Sequence, residues 1–377
     1  MPMNKIEKLI KELCPNGVEW KKLNSVVNTI TPPKKLKTNE FHNIGEYVII
    51  DQGQDFITGY TDDEDAILPI GDYVLYGDHT CIVKYVNVRF AQGADGLKIL
   101  KPIKQNCKYI YYAISAYNLK SSEYKRHWTQ AKEIEIPLPP LPIQTEIVHI
   151  LDKFVEQQEQ LEKLIELRKK QYEYYREEML KPKEGEKWET KTIGELGTIT
   201  RGRRFVRDDV RESGMPCIHY GDMYTYYGIT ARTTKTFLDR NFPKKMQYAK
   251  KGDVVVVGAG ENDLDIGVGT VWEGNEPAAV HDACYILTHN QNSKYIAYFL
   301  RTNNYHQQLR KYVSDGKICS ISGKGLGSCI ISIPSLTKQQ EIVEFLDKFE
   351  FSITALTSAL ESSKRRYEYY RDKMMRF

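Results

Sequence analysis

The 377-residue chain contains no apolar run long enough to cross a bilayer or serve as a secretory leader, and its opening MPMNKIEKLIKELC carries charges throughout. Its seven cysteines (Cys14, Cys81, Cys107, Cys217, Cys284, Cys319 and Cys329) are scattered, with no C-x-x-C pair, which argues against a zinc site or a disulfide framework. Reduced thiols in a cytoplasmic protein are the expectation. Charge of one sign does not dominate either. Lys+Arg 54 against Asp+Glu 50 leaves +4, which excludes a histone-like tail but not a local basic surface. No G-x-x-x-x-G-K-[ST] loop is present, so a P-loop nucleotide site has no support. GKGLG at 323–327 lacks the third glycine of a dinucleotide fingerprint and precedes the strand-like CIISI rather than a helix. The eight histidines form no metal-ligand spacing, and His281, in the apolar run AAVHDACYIL, reads as a satisfied core side chain. The acidic run Asp62–Asp65 reads as a solvated loop. No catalytic constellation and no metal site emerges, and the chain reads as a binding component of something larger.

What is present is a repeat. IQTEIVHILDKF at 143–154 returns as KQQEIVEFLDKF at 338–349, and at the same offset of 195 YEYYREEM (172–179) meets YEYYRDKM (367–374). The 37 positions from 143 to 179 hold 17 identities with 338–374, far beyond coincidence. Weaker echoes precede each copy: NTIT (28–31) and GTIT (197–200), Gly71-Asp72 and Gly252-Asp253, KYIYYAI (108–114) and KYIAYFL (294–300). Their offsets of 169, 181 and 186 grow toward 195, as expected for two related domains that differ by loop insertions.

Both repeated segments have helical period and lack proline and glycine in their interiors. A 4-3-4-3 seam runs through Ile147, Leu151, Phe154, Gln158, Leu161, Ile165, Arg168, Tyr172, Tyr175 and Met179. Its counterpart is Ile342, Leu346, Phe349, Ile353, Leu356, Leu360, Ser363, Tyr367, Tyr370 and Met374. Such a helix spans on the order of 50 Å, too long a stripe for one domain to cover, so the two are expected to cover each other. Antiparallel pairing would bring Gln158 near Ser363 as a polar layer and set Arg168 against Ile353, its charged end snorkelling outward. The predicted architecture is α+β: mixed α/β units at 1–142 and 181–337, related by a pseudo-two-fold repeat, and long helices at 143–180 and 338–377 forming an antiparallel coiled coil. Before each helix, IEIPLPPLPIQ (134–144) and ISIPSLTKQQ (331–340) read as a strand stopped by proline. LPPLP also permits a polyproline ligand for an SH3-type partner.

The binding signal is basic residues interleaved with aromatics and amides in loops. In the first unit the candidates are Lys34, Lys35, Lys37, Gln52, Gln54, Tyr60, Thr61, Lys125 and Arg126. In the second they are Arg201, Arg203, Arg204, Arg207, Tyr220, Tyr224, Tyr226, Tyr227, Arg232, Lys235 and Lys317. The second unit holds 22 basic and 17 acidic residues, its cations clustered early as RGRRFVRDDVR (201–211). Lys and Arg supply phosphate contacts, while Gln, Thr and Arg can reach base edges in the major groove.

The two-unit layout, the proline–Q-x-E-I-V–x-x-L-D-K-F junction and the YEYYR helix end resemble the specificity subunit of a type I restriction–modification system. DQGQDFITGYTDD (51–63) and the RG…GMPCIHYGD pattern (201–222) are similar to stretches of that family's target-recognition domains. The resemblance implies that each unit reads one half of a bipartite, asymmetric site in double-stranded DNA. The helices would set the spacer and dock two methyltransferase subunits, and restriction subunits would complete the nuclease. It implies no catalytic group and no cofactor on this chain, with S-adenosylmethionine, ATP and Mg on the partners, and no membrane association. Two rivals remain: a single-chain methyltransferase, for which TPPKKL (31–36) lacks the aromatic of an N-P-P-[YF]-like motif, and a coiled-coil adaptor with two protein-binding domains.

Overall fold

The strongest apolar runs in the sequence become the central strands. Tyr73–Gly77 and Val254–Val257 are buried at every position, as strands covered on both faces must be. The computed structural model describes residues 3–93, 95–117, 119, 126–242, 245–260, 265–314 and 318–377, without the side chains of Met3, Asn4 and Tyr224. The chain divides into two units, one of Met1–Lys163 with Thr357–Phe377 and one of Leu164–Leu356. The division cuts both long helices, Leu141–Met179 and Leu336–Met374, near their middles, so each unit contains a piece of each helix.

In the first unit an antiparallel sheet runs Val27–Ile30, Leu97–Pro102, Tyr73–Gly77, Val83–Val86. A second sheet places Gly59–Thr61 antiparallel to Tyr47–Ile50, itself parallel to Phe90–Gly93, which pairs antiparallel with Ile67–Leu68. The second unit repeats this plan. Gly197–Arg201, Cys284–His289, Val254–Val257 and Gly269–Trp272 are antiparallel neighbours in that order. Thr236–Leu238 lies antiparallel to Met215–Ile218, which is parallel to Ala278–Val280, which is antiparallel to Tyr248–Ala249. The weak sequence echoes therefore mark equivalent elements, NTIT and GTIT in strands, the Gly-Asp pairs just before strands, and KYIYYAI and KYIAYFL in short helices, and the mixed α/β expectation holds.

Each unit also closes on a two-stranded ribbon whose second strand leads into a long helix: Trp20–Lys22 with Glu135–Pro137, and Glu189–Thr192 with Ile330–Ile333. Pro137 and Pro139 are buried at the first of these junctions, and Leu141 and Pro142 of LPPLP already belong to the long helix rather than to a polyproline stretch. The junctions share one hydrogen-bond cassette. In the first unit Gln144 accepts from the Asn106 N–H at 3.0 Å and donates to the Pro139 carbonyl at 2.8 Å. Asp152 accepts from Tyr112 at 2.6 Å and from Lys108 at 2.7 Å. In the second unit Gln339 accepts from the Asn292 N–H at 2.9 Å and donates to the Pro334 carbonyl at 2.9 Å. Asp347 accepts from Tyr298 at 2.7 Å and from Lys294 at 2.8 Å. Asn106 and Asn292 cap the short helices Cys107–Ala116 and Ser293–Phe299 that carry these tyrosines. The repeated Q, K-Y and L-D of the sequence are thus the parts of a joint between sheet, short helix and long helix.

Within each unit the helix pieces pair antiparallel. In the first, Phe154 stacks on Tyr370 with ring centroids 5.7 Å apart, and Lys364 meets Glu162 at 2.8 Å. Ile147 and Leu151 are buried with Met374 in the same core. In the second, Tyr175 lies 5.3 Å from both Phe345 and Phe349, and Tyr172 donates to Glu350 at 3.1 Å. Ile342 and Leu346 are buried there alongside Tyr172 and Met179. One expected contact differs in detail: the polar layer at Ser363 uses Gln157, whose side chain accepts from the serine at 3.4 Å, whereas Gln158 Nε2 is buried without a partner among the described residues. Arg168 reaches the ring of Phe349, 5.9 Å from its centroid, and donates to Gln171. An arginine at a seam position gains more from an aromatic face than from an aliphatic one. The remaining seam residues Leu161, Ile165, Ile353, Leu356, Leu360 and Tyr367 are buried or half-buried, while Tyr175 is 36% exposed.

Candidate nucleic-acid interface

Two loops are equivalent in the units, and most sequence-selected residues lie on them. The basic loop leaves the first strand of each antiparallel sheet. Its apolar anchor, Leu36 in one unit and Phe205 in the other, is about 1% exposed, and a 3-10 turn follows at Thr38–Glu40 or Arg207–Asp209. Both turns are closed by the same contact, the Glu40 carboxylate accepting from Lys37 N–H and the Asp209 carboxylate from Val206 N–H, each at 2.8 Å. The offset of 169 in the sequence continues through this loop, so Lys34 corresponds to Arg203 and Lys35 to Arg204.

The charges on the two loops are handled differently. Lys34 pairs with Asp63 at 2.6 Å, and Lys35 with Asp95 at 2.8 Å. These lysines hold both carboxyls below the usual Asp range. Lys37 is exposed and, among the described residues, forms no ion pair. In the second unit Arg203, Arg204 and Arg207 are exposed and, among the described residues, have no acidic partner. Arg201 donates from Nε to the Asp282 carbonyl at 2.8 Å. The loop reaches this position through Gly202, where a Cβ would stand 2.2 Å from the His281 carbonyl oxygen; only glycine permits that approach.

The other loop follows the parallel strand: DQG at 51–53 and HYG at 219–221. Asp51 accepts from Gly53 N–H at 2.7 Å, and His219 Nδ1 accepts from Gly221 N–H at 3.2 Å, the same local turn with different chemistry. Gln52, Thr61 and Tyr227 are held by partners within the fold. Gln52 Oε1 accepts from His79 N–H at 3.1 Å and its carbonyl from Thr80 at 2.7 Å, so it organises its own loop. Thr61 is 3% exposed and accepts from Asp63 N–H. Tyr227 is 8% exposed, its hydroxyl accepting from Lys235 N–H at 3.0 Å. Thr61 and Tyr227 are buried and Gln52 half-buried, and each has an internal partner. Tyr60 is half-buried at a backbone bridge to His42. Gln54, Arg126 and Tyr226 remain exposed. Arg232 pairs with Glu273 at 3.1 Å, and Lys235 lies 3.8 Å from Asp222 and over the Tyr226 ring. Lys125 and Lys317 lie outside the described residues, as does the side chain of Tyr224.

In the second unit the two loops enclose an open cavity of about 430 Å³ lined by Arg201, Arg204, Arg207, His219, Tyr220 and His281. The rings stack: His219 lies 4.5 Å from Tyr220 and 4.6 Å from His281, centroid to centroid. His281 sets its Nε2 3.1 Å from the Phe205 carbonyl and accepts at Nδ1 from Ala283 N–H, which makes it the satisfied histidine the sequence suggested. Burial lowers the pKa of both histidines, and for His281 the neighbouring His219 adds to this. His219 itself was not selected from sequence; its alignment with Asp51 in DQG and HYG was the available signal.

A family model for the type I restriction modification DNA specificity domain matches residues 15–169 and again 185–362. The chain belongs to this family. It is a specificity subunit of a type I restriction–modification system with two target-recognition domains, and recognition of DNA sequence is the family's role. It is 29% identical to the Escherichia coli type I restriction enzyme EcoR124I/EcoR124II specificity subunit over 100% of this chain and 97% of that protein. It is 28% identical to the putative specificity subunit S.HindORF215P of Haemophilus influenzae, over 99% and 98% respectively. The crystal structure of the type I restriction–modification S subunit from M. genitalium shares the fold, with a TM-score of 0.60 at 15% identity, covering 96% of this chain and 97% of that one. Among the described residues, no helix is long and apolar enough to cross a membrane, and no cluster of His, Cys, Asp and Glu could hold a metal ion.

Proposed function

We propose that each recognition domain of this subunit reads one half of a bipartite, asymmetric site in double-stranded DNA, through its basic loop and the loop after its parallel strand. The observation that carries this is the duplication: two domains of one topology present equivalent loops, each with cations at the same positions. Uncompensated arginines in the second unit favour a polyanionic ligand over a protein adaptor role. The helix pair sets the unread spacer and, with the joints, docks two methyltransferase subunits, with restriction subunits completing the nuclease. The chain contributes recognition and no catalytic group; S-adenosylmethionine, ATP and Mg belong to its partners, and the assembly works in the cytoplasm.

The test is a methylome. The chain and its cognate methyltransferase subunit, expressed together in a methylation-free host, should deposit N6-methyladenine in a gapped two-part motif that vanishes when this chain is omitted. A continuous motif would mean that only one domain reads DNA, and the two-domain account would fall. Exchanging residues 1–142 for the equivalent unit of a relative should change one half-site alone; a change in both would refute modular reading.

A further inference from the structure

The cavity between the two loops of the second unit is built differently from its surroundings. Three arginines line it; of the nearby carboxylates, Asp222 accepts from Thr236 at 3.3 Å with Lys235 3.8 Å away, while Asp282 is one carboxylate among three guanidinium groups at the cavity wall, 3.2 Å from His281 Nδ1. Arg204 and Arg207 have no protein acceptor among the described residues, and Arg201 spends only Nε on a backbone carbonyl, which leaves its terminal nitrogens. The turn at Gly221 occupies His219 Nδ1 and so places the imidazole proton on Nε2, which has no protein acceptor among the described residues and belongs to a side chain lining the cavity. In the first unit the position of His219 is held by Asp51, that of Arg204 by Lys35, which is paired with Asp95, and those of Arg201 and Arg207 by Pro32 and Thr38. One domain thus has a concave recess lined by three arginines where the other has, at the matching positions, a single paired lysine.

We propose that this cavity is an anchor for a single backbone phosphate of the bound DNA, held by Arg204 and Arg207 with Arg201 and by the Nε2–H of His219. The inference rests on the DNA-reading role proposed above. A phosphate fits the donor set because all four side chains present N–H groups alone, and guanidinium forks match its oxygens in pairs. The contact positions the second domain on the duplex and carries no base identity. It also couples binding to pH. His219 is held neutral by burial against the pull of Asp222 and Asp282, and Arg201, Arg204 and Arg207 surround the recess. An anion beside Nε2 favours the imidazolium, so phosphate binding draws a proton to the ring and affinity rises as pH falls.

The experiment is an anisotropy titration of the full chain with a labelled mixed-sequence duplex, across a salt series and at two pH values. The paired substitution Arg204→Gln and Arg207→Gln should reduce the slope of log K against log salt by about one and weaken binding roughly tenfold at ~0.1 M salt. His219→Gln, neutral at both ends of the range, should remove most of the tightening seen in the parent between about pH 8 and about pH 6. Unfolding midpoints matching the parent would show that the variants fold. An unchanged slope in the arginine variant would overturn the anchor, as would a pH dependence that survives His219→Gln. If the parent chain itself bound DNA with no dependence on salt, the DNA-reading role would fail first, and the two failures are distinguishable.

Discussion

The joint between short helix and long helix makes a quantitative prediction. Tyr298 is fully buried, and its hydroxyl donates to Asp347 Oδ1 at 2.7 Å; Lys294 reaches the other carboxylate oxygen at 2.8 Å across a partly exposed pair. A hydrogen bond to a charged acceptor contributes ~1.5–3 kcal/mol, and an ion pair this exposed only ~0–1 kcal/mol. Asp347→Ala removes both and strands the buried hydroxyl, so it should cost about 2–4 kcal/mol. Asp347→Asn keeps an acceptor for the tyrosine and should cost only about 1 kcal/mol. Tyr298→Phe removes the donor and leaves a carboxylate that water and Lys294 still satisfy, at about 1–2 kcal/mol. Because the two residues share one bond, the double variant should fall short of the sum by about 1 kcal/mol or more. The assay is urea unfolding followed by hydrogen exchange, so that loss of protection can be assigned to Ser293–Phe299 and Leu336–Met374 rather than to the chain as a whole. The equivalent change in the first unit, Asp152→Ala, should deprotect Cys107–Ala116 instead. Additive effects in the double variant, or an Asn substitution as costly as Ala, would show that the repeated aspartate works by something other than this hydrogen bond.

Two further predictions concern pH within the second unit. Burial raises the Glu350 carboxyl above its ordinary range despite the hydrogen bond from Tyr172, so the folded state holds its proton more tightly than the unfolded state. Glu350→Gln should therefore raise the unfolding midpoint at neutral pH, and the gap should close as pH falls through the raised folded value; a gap that persists in acid would contradict this. Burial lowers His219, His281, His289 and His306, so the unfolded chain takes up protons first on acidification. Stability that is complete above about pH 6.5 is then lost as pH falls toward the lowered folded values. Hydrogen exchange at two pH values should show this loss in Val254–Val257 and Cys284–His289, and uniform protection in these strands would refute it.

The sequence made the frame legible and the chemistry less so. Repetition supplied the frame: a second copy at fixed offset turned weak strings such as NTIT and GTIT into equivalent strands, and a 4-3 apolar seam requires a helix whatever it packs against. The proline-stopped strand was readable, but the role of Gln144 and Gln339 was not, because an amide that satisfies a proline carbonyl looks in sequence like any surface glutamine. The same ambiguity covers Gln52, Thr61 and Tyr227, whose hydrogen bonds within the fold leave no trace in the sequence. Their partners, His79, Asp63 and Lys235, are supplied by the fold. Pairing of Lys34 and Lys35 was equally hidden, since Asp63 and Asp95 approach them only after the second sheet forms.

That hidden pairing distinguishes the domains, and it can be undone. Asp63→Asn with Asp95→Asn leaves Lys34 and Lys35 in place and removes the two carboxylates that neutralise them. The asparagine at 63 can still accept from Asp65 N–H, which caps the turn Glu64–Ala66, so the loop should hold its shape. Asp95 is exposed and Asp63 half-buried at the surface, and ion pairs this exposed contribute little to stability. If the first domain presents its basic loop to the phosphate backbone, freeing two lysines should add one to two counterions to the salt slope and tighten non-specific duplex binding about tenfold or more at ~0.1 M salt. Base preference in that half-site should stay as it was, because phosphate contacts carry no sequence. An unchanged salt slope would mean that Lys34 and Lys35 do not face DNA, and that the equivalence of the two basic loops is one of fold alone.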